Sequence, residues 1–264
     1  MLSTDQEEAT LRPTLAEALG VADGRATIDR TWWSWAGPHG GFVAGLCLNA
    51  SLPLLGEGRV PRSLHAVFLE PAGEGELRLD AAAVREGGSS VVVSVAAGAA
   101  VRATVVAGRP RGDSVIPSEP LPDVPGPEEC DDTPLPVDFV PFSQHLRFRF
   151  TSAARPFAAG PEAQLVAWVR LVDDVPLDHA ALVMLVDAMP PAAYAVTATP
   201  VAVPTVDLTV SFTDAPPAGG WVLLRITTRS LAGGWCLDDS EVWDADGRLL
   251  ARGRQTRRVL GDLS

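Results

Sequence analysis

The sequence predicts an α+β protein built twice from one unit, a curved antiparallel sheet lying against a single hydrophobic helix. Three observations carry that prediction. The first is internal similarity: the stretch beginning at Ser63, SLHAVFLEPAGEGELRLDAAAVREGGSS, overlays DLTVSFTDAPPAGGWVLLRITTRSLAGG from Asp207 without a gap. The overlay pairs Leu64 with Leu208, Phe68 with Phe212, Glu70 with Asp214, Leu79 with Leu223 and Arg85 with Arg229. Its spacing is far longer than that of a solenoid repeat, so it reads as a duplicated domain. The second is that each half carries one helical stretch, with a small apolar face in the first half and apolar nearly all round in the second, where it must be wrapped by other structure. The third is a set of β-branched runs separated by Gly- and Pro-containing turns, the mark of antiparallel hairpins.

Each half is expected to run strand, helix, then three strands. In the first half the helix spans Gly40 to about Leu54 and is announced by Gly37-Pro38. From Arg109 to Gln144 the chain is crowded with prolines and carboxylates and has no apolar period, which reads as an extended surface linker. The expected organisation is therefore a first domain over 1–108, a Pro-rich acidic linker over 109–144 and a second domain over 145–264. In the second half PLDHAALVMLVDAM opens with Asp178 placed as an N-cap and is closed by Pro190-Pro191. Strands follow at 205–212 and 221–228 around the turn TDAPPAGG, and at 241–244 and 248–255 around Ala245-Asp246-Gly247.

Composition narrows the function classes. With 264 residues, 47% hydrophobic and 20% charged, the chain can bury one large core or two modest ones. Its 21 basic against 33 acidic side chains leave a net charge of -12, which argues against a nucleic-acid partner. Lysine is absent from the sequence, so Schiff-base and P-loop chemistries drop out. Cys47, Cys130 and Cys236 are too few and scattered for a disulfide framework or a zinc site, and a reducing cytoplasm fits them. The acidic amino-terminal stretch lacks the features of a signal peptide, and no apolar run reaches the roughly 18 residues of a membrane span. The expectation is a soluble cytoplasmic protein with no metal and no cofactor.

The run from Trp33 to Leu46, W-x-WAGPHGGFVAGL in all but its second residue, together with RSLHAVFLEPA, PTVDLTVSF, WDADGRLLARGRQ and the DAMPP helix end, resembles the double hot-dog acyl-CoA thioesterases, the branch related to bacterial thioesterase II. The resemblance covers almost the whole chain. It implies two fused hot-dog folds forming an intramolecular pseudo-dimer, with the sheets joined edge to edge and the helices on one side. It also implies hydrolysis of acyl-CoA by water, without metal or covalent intermediate, and assembly into a homo-dimer or higher oligomer. Carried over by residue, the family's aspartate falls on Asp207, its hydroxyl on Ser230 with Thr228 as competitor, and its glutamine on Gln255.

The residue chemistry is compatible with that assignment. Thioester hydrolysis needs a held water, a base and a resting place for the oxyanion. Asp207 can take the proton, while Ser230 and Gln255 can each donate and accept hydrogen bonds. The oxyanion would rest on backbone amides at the helix start, where Gly40 and Gly41 permit close approach and His39 is a substrate contact. Under the repeat, Ser63 lies opposite Asp207, Glu86 opposite Ser230 and, in a shifted register, Val106 opposite Gln255. The first half thus lacks the polar set, and one catalytic centre is expected, with the first half lending its Gly-Pro-His-Gly-Gly turn. His65, His145 and His179 read as structural. Arg248, Arg252, Arg254, Arg257 and Arg258 form a basic stripe suited either to coenzyme A phosphates or to a solvated strand face. Trp32, Trp33 and Trp35 either floor an acyl pocket or fill the core. No G-x-S-x-G elbow is present, which disfavours a serine hydrolase. Two alternatives remain: a non-catalytic acyl-CoA binder or sensor, and a hot-dog hydratase or dehydratase, which would want an Asp/His pair on one helix-turn segment.

Overall fold

In the computed structural model, which describes residues 13–112, 116, 118–216 and 219–261, eleven antiparallel strands form one continuous sheet. The chain runs through α1 (Leu15–Ala18), β1 (Arg25–Ile28), α2 (Gly40–Ser51), β2 (Val60–Phe68), β3 (Gly75–Glu86), β4 (Ser90–Ala97) and β5 (Val101–Gly108). It continues through β6 (Leu146–Phe150), β7 (Gln164–Leu171), α3 (His179–Val186), β8 (Thr205–Phe212), β9 (Val222–Ala232), β10 (Trp235–Asp244) and β11 (Leu249–Arg258). The order across the sheet is β1-β3-β4-β5-β2-β8-β11-β10-β9-β7-β6, so the halves meet where β2 pairs with β8. This is the double hot-dog arrangement.

The seam reports the duplication directly. His65 pairs with Thr209, and the two are 144 positions apart, so each sits on the other's equivalent and the internal two-fold axis passes between them. Across the axis the His65 Nδ1 and Thr209 Oγ1 lie 2.9 Å apart.

Two expectations need correction. Four strands follow each helix rather than the three of the expected unit, in the second half at the four runs placed between 205 and 255, and β6 adds an edge strand to that half. The first helix ends at Ser51 instead of about Leu54, because Pro53 cannot supply the amide that an α-helical turn requires and the last residues wind as a short 3-10 turn.

Both helices lie on the inner face of the sheet and are buried along their length, α2 from Gly41 to Leu48 and α3 from Ala180 to Val186. Their apolar circumference is explained by double burial, against the sheet on one side and against each other on the other. Close approach depends on glycines. A Cβ on Gly41 would lie 3.0 Å from the Met184 and Val183 carbonyl oxygens, and one on Gly45 would lie 3.0 Å from the Ala180 carbonyl oxygen. The pairing of 41 with 184 and of 45 with 180 makes the helices antiparallel. Beneath α3, Gly253 of β11 leaves the space that Val186 fills.

The proline-rich segment is extended but is more than a connector. Glu119 pairs with Arg225 and Arg252, and its carbonyl accepts the Trp243 indole N–H at 3.1 Å. The Pro125 carbonyl accepts the Trp168 indole N–H at 2.8 Å. Leu121, Val124 and Cys130 pack on Trp168, Leu223, Trp243 and Leu249, covering the outer face of the second half-sheet.

A Gly253→Ala substitution would drive its methyl into Val186 Cγ1 and is expected to cost about 1–3 kcal/mol through overpacking, several degrees of Tm in a chain of this size. Thermal unfolding checks this. Adding Val186→Ala should recover part of the loss, and a Gly253→Ala protein that melts with the parent would show that α3 does not seat on β11 there.

Candidate functional site

The site forms where the C-terminal end of α3 meets the N-terminal end of α2. After eight residues from His179 to Val186 that are apolar apart from the first, the chain places Asp187 as the C-cap of α3. A carboxylate is unfavourable at the end of its own helix, but here it faces the start of the neighbouring one, where free amides and the helix dipole favour it. Asp187 Oδ2 accepts the Gly41 N–H at 2.7 Å.

His39, the N-cap of α2, is buried. Its Nδ1 accepts the Phe42 N–H at 3.1 Å, which puts the ring proton on Nε2. That nitrogen donates to the Asp187 carbonyl oxygen at 3.0 Å and lies 3.5 Å from Asp187 Oδ2. The ring also tilts against Phe142, with 4.1 Å between centroids. Burial lowers the His39 pKa below its ordinary value of 6.5; the Asp187 carboxylate opposes this and Arg257 adds to it. His39 is therefore a neutral imidazole with both nitrogens committed to the protein.

The other wall comes from the sheet. On β11, Ala251, Gly253, Gln255 and Arg257 share the buried inner face. Gln255 Nε2 donates to Asp187 Oδ1, and Gln255 Oε1 accepts from Arg257. The Arg257 guanidinium also donates to Thr205 Oγ1 at 2.8 Å and lies 3.6 Å from Asp187 Oδ1. Its Nε stands 2.9 Å from Asp238 Oδ2, an ion pair that lacks the alignment of a hydrogen bond. Asp238 of β10 has no solvent exposure, and its Oδ1 accepts the Thr228 hydroxyl at 2.6 Å and the Cys236 thiol at 3.3 Å. One buried network thus links both halves: His39 and Gly41 from the first, and Asp187, Thr205, Gln255, Arg257, Asp238 and Thr228 from the second.

The structure does not bring together the three residues that the sequence reading joined. Gln255 is buried on the inner face beside Asp187, whereas Asp207 pairs with Thr256 on the opposite face. In β8 the apolar positions Leu208, Val210 and Phe212 point inward, so strand alternation sends Asp207 out with Thr209 and Ser211. A bulge between Thr256 and Arg257 restores the inner face one step earlier, where Thr205 meets Arg257. Ser230 is exposed near the end of β9, across from Leu237. Its competitor Thr228 faces inward, with its hydroxyl given to Asp238.

Gly40 and Gly41 do stand at the helix start beside the site, but the Gly41 amide already serves Asp187. The arginine stripe divides. Arg248 pairs with Asp244 and Asp214, Arg252 with Glu119 and Arg254 with Asp239. Arg258 lies over Trp235, while Arg257 turns inward. Trp32 is buried, stacked between Phe42 and His145, and Trp35 is exposed against Phe139.

The sequence reading missed Asp187, Thr205, Arg257 as an inner residue, and Asp238. Asp187 carried a signal, since it is a lone carboxylate closing an otherwise apolar helix just before Pro190-Pro191. Cys47 and Cys236 are buried, and burial pushes both thiols up to about 12, so neither is a ready nucleophile. Among the described residues no cluster of His, Cys, Asp and Glu is arranged to hold a metal ion, and no helix is long and apolar enough to cross a membrane.

Comparison with known families matches residues 29–108 to the acyl-CoA thioesterase N-terminal domain and residues 127–259 to the acyl-CoA thioesterase C-terminal domain. Comparison with curated proteins gives no match. Among solved structures, a conserved protein of unknown function with a hot-dog fold from Alicyclobacillus acidocaldarius is 26% identical, with a TM-score of 0.86 over 96% of this chain and 100% of that one. The acyl-CoA thioesterase II TesB2 of Mycobacterium marinum is 18% identical, with a TM-score of 0.74 over 94% of this chain and 99% of that one. The tesB protein of Mycobacterium avium subspecies paratuberculosis is 19% identical, with a TM-score of 0.74 over 94% and 98%. The last two likenesses are of fold.

The lowered His39 pKa gives a prediction with a defined sign. Below pH 6.5 the unfolded chain binds a proton that the folded imidazole resists, so this group's contribution to stability is intact above 6.5 and is lost as pH falls toward the folded pKa. His39→Asn retains an acceptor for the Phe42 amide and cannot be protonated. Its Tm deficit relative to the parent should shrink from about pH 7.5 to about pH 5. His179, also lowered by burial, titrates in both proteins and cancels. A deficit constant across that range would mean that His39 does not titrate as a buried neutral ring.

Proposed function

We propose that this chain, which belongs to the acyl-CoA thioesterase family, hydrolyses acyl-CoA to free acid and coenzyme A, with Asp187 as the carboxylate that activates water. The observation that carries the proposal is the convergence of Asp187, Gln255 and the first turn of α2, one buried carboxylate with a side-chain amide from the second half and the Gly41 backbone amide from the first aimed at it. Asp187 takes a proton as water adds to the thioester carbonyl. Gln255 keeps a second Nε2 hydrogen for that water, and Thr205, whose oxygen accepts from Arg257, keeps its hydroxyl proton for the same purpose. The developing oxyanion rests at the start of α2, where the Gly40 amide belongs to the first turn and has no intrahelical acceptor. Collapse of the tetrahedral intermediate breaks the C–S bond, and the proton held by Asp187 passes to the departing thiolate.

The closeness of His39 and Asp187 favours one other reading, a hydratase using them as an acid-base pair. The ring's commitments decide against it, because neither nitrogen is left to face a substrate. A sensor reading predicts saturable acyl-CoA binding without release of free thiol.

Asp187→Asn is expected to lower kcat by about 10²- to 10⁴-fold, the usual contribution of a positioned base. Asp207→Asn and Ser230→Ala, which alter the outer face and an exposed strand end, should stay within about twofold of the parent, since surface changes away from a site are usually near neutral. Thiol release from a panel of acyl-CoA esters, with acyl-CoA binding and enoyl absorbance followed in parallel, measures all three. Full turnover by Asp187→Asn, or a matching loss in Asp207→Asn, would overturn the assignment.

A further inference from the structure

We propose that Arg257 is a positioning residue for the hydrolytic reaction, fixing which way the Gln255 amide points and orienting Thr205, and so setting the place of the attacking water. The inference rests on the hydrolysis reading above and adds a component that touches no substrate.

The geometry points there in three ways. A glutamine amide has near-identical shape in its two flipped states, and what selects one is the set of neighbours. Gln255 stands between an acceptor, Asp187 Oδ1, and a donor, Arg257. Flipping it would set Nε2 against the guanidinium and Oε1 against the carboxylate, two repulsive contacts in a dry interior. Second, the same guanidinium donates to Thr205 Oγ1 at 2.8 Å, filling a lone pair and sending the hydroxyl proton elsewhere. Third, Arg257 is itself held. It is buried, with its Nε 2.9 Å from Asp238 Oδ2, and Asp238 is anchored by Thr228 at 2.6 Å. A planar guanidinium serves three directions at once, which an ammonium on a flexible stem does not.

The charges explain why the residue is not a simple structural cation. Facing Arg257 are Asp187 from the end of α3, His39 from the start of α2, Asp238 and Cys236 from β10, and Tyr194 from the turn after α3. Of these the histidine is held neutral, and the thiol and phenol are pushed up to about 12, which leaves the two aspartates as the guanidinium's ion-pair partners. One guanidinium is thus shared between a carboxylate that anchors it and a carboxylate assigned to chemistry.

Two variants of the full chain test the role. Arg257→Lys keeps the charge, and Arg257→Gln combined with Asp238→Asn removes one charge of each sign, so that no uncompensated aspartate is left beyond Asp187. Both should fold, with Tm near the parent's. Both should lose about tenfold to a hundredfold in kcat with KM within about threefold, the signature of a misplaced reacting group. Wild-type kcat in either variant, or a loss carried by KM with kcat unchanged, overturns the proposal; should the double variant not fold, Arg257→Lys alone decides. Asp187→Asn assayed beside them separates the two failures: loss there with full activity in the Arg257 variants sinks this inference alone, whereas full activity in Asp187→Asn sinks the hydrolysis reading.

Discussion

The contact on which the rest of the molecule depends is the close antiparallel approach of α2 and α3. Two apolar helices buried in one sheet would ordinarily be kept apart by their side chains, but Gly41 and Gly45 expose the backbone of α2 on the side that α3 occupies. This brings Asp187 within 2.7 Å of the Gly41 amide and makes the end of one helix the capping group of the other. A methyl on Gly41 would lie 2.7 Å from Asp187 Cβ, so the glycine is required for the carboxylate's place as much as for packing. The site is therefore a property of the fused pair, and neither half builds it alone.

Burying that much polarity would be costly unless every group found a partner. Asp187, Gln255, Arg257 and Asp238 are all buried, yet each is tied to at least one neighbour of opposite character. Such networks add little to stability when compared with an apolar core of the same volume, and their usual return is a fixed geometry. Here the fixed elements are the orientation of one amide and one hydroxyl beside a carboxylate, and the neutral state of His39 keeps a second positive charge from competing with Arg257.

Much of the fold was legible because its signals are local or repeated. The overlay of Leu64 on Leu208 and Phe68 on Phe212 disclosed the duplication, and the seam later placed His65 opposite Thr209 at that spacing. Asp178 marked the start of α3 as expected. The site was less legible because Asp187 is placed by contacts distant in sequence, 68 positions to Gln255, 146 to Gly41 and 148 to His39. Even so, a rule already in hand would have helped. Strand alternation applied to β8 places Asp207 out of phase with Leu208 and Val210, and applied to β11 places Gln255 in phase with Ala251, which puts the two on opposite faces. What alternation does not reveal is the bulge that returns Thr205 to the inner face, since a bulge depends on pairing between strands.

The twin half supplies the strongest internal argument that the polar cluster is there for use. On β4 and β5 the inner positions are Val91, Val93, Val95, Ala97, Val101, Ala103, Val105 and Ala107, all buried and all apolar. The corresponding inner faces of β10 and β11 hold Cys236, Asp238, Ser240, Gly253, Gln255 and Arg257. In α2 the position that matches Asp187, counted from the N-caps His39 and Asp178, is Leu48, which is buried and apolar. The same fold in the same chain thus has a fully apolar solution for this face. A packed set of valines needs no charge balance and no aligned donors, so stability gives no reason for two aspartates, an arginine and a glutamine to occupy the other copy. Their presence on one side of the two-fold axis, beside the glycine turn contributed by the opposite half, is what a single working centre in a duplicated fold requires.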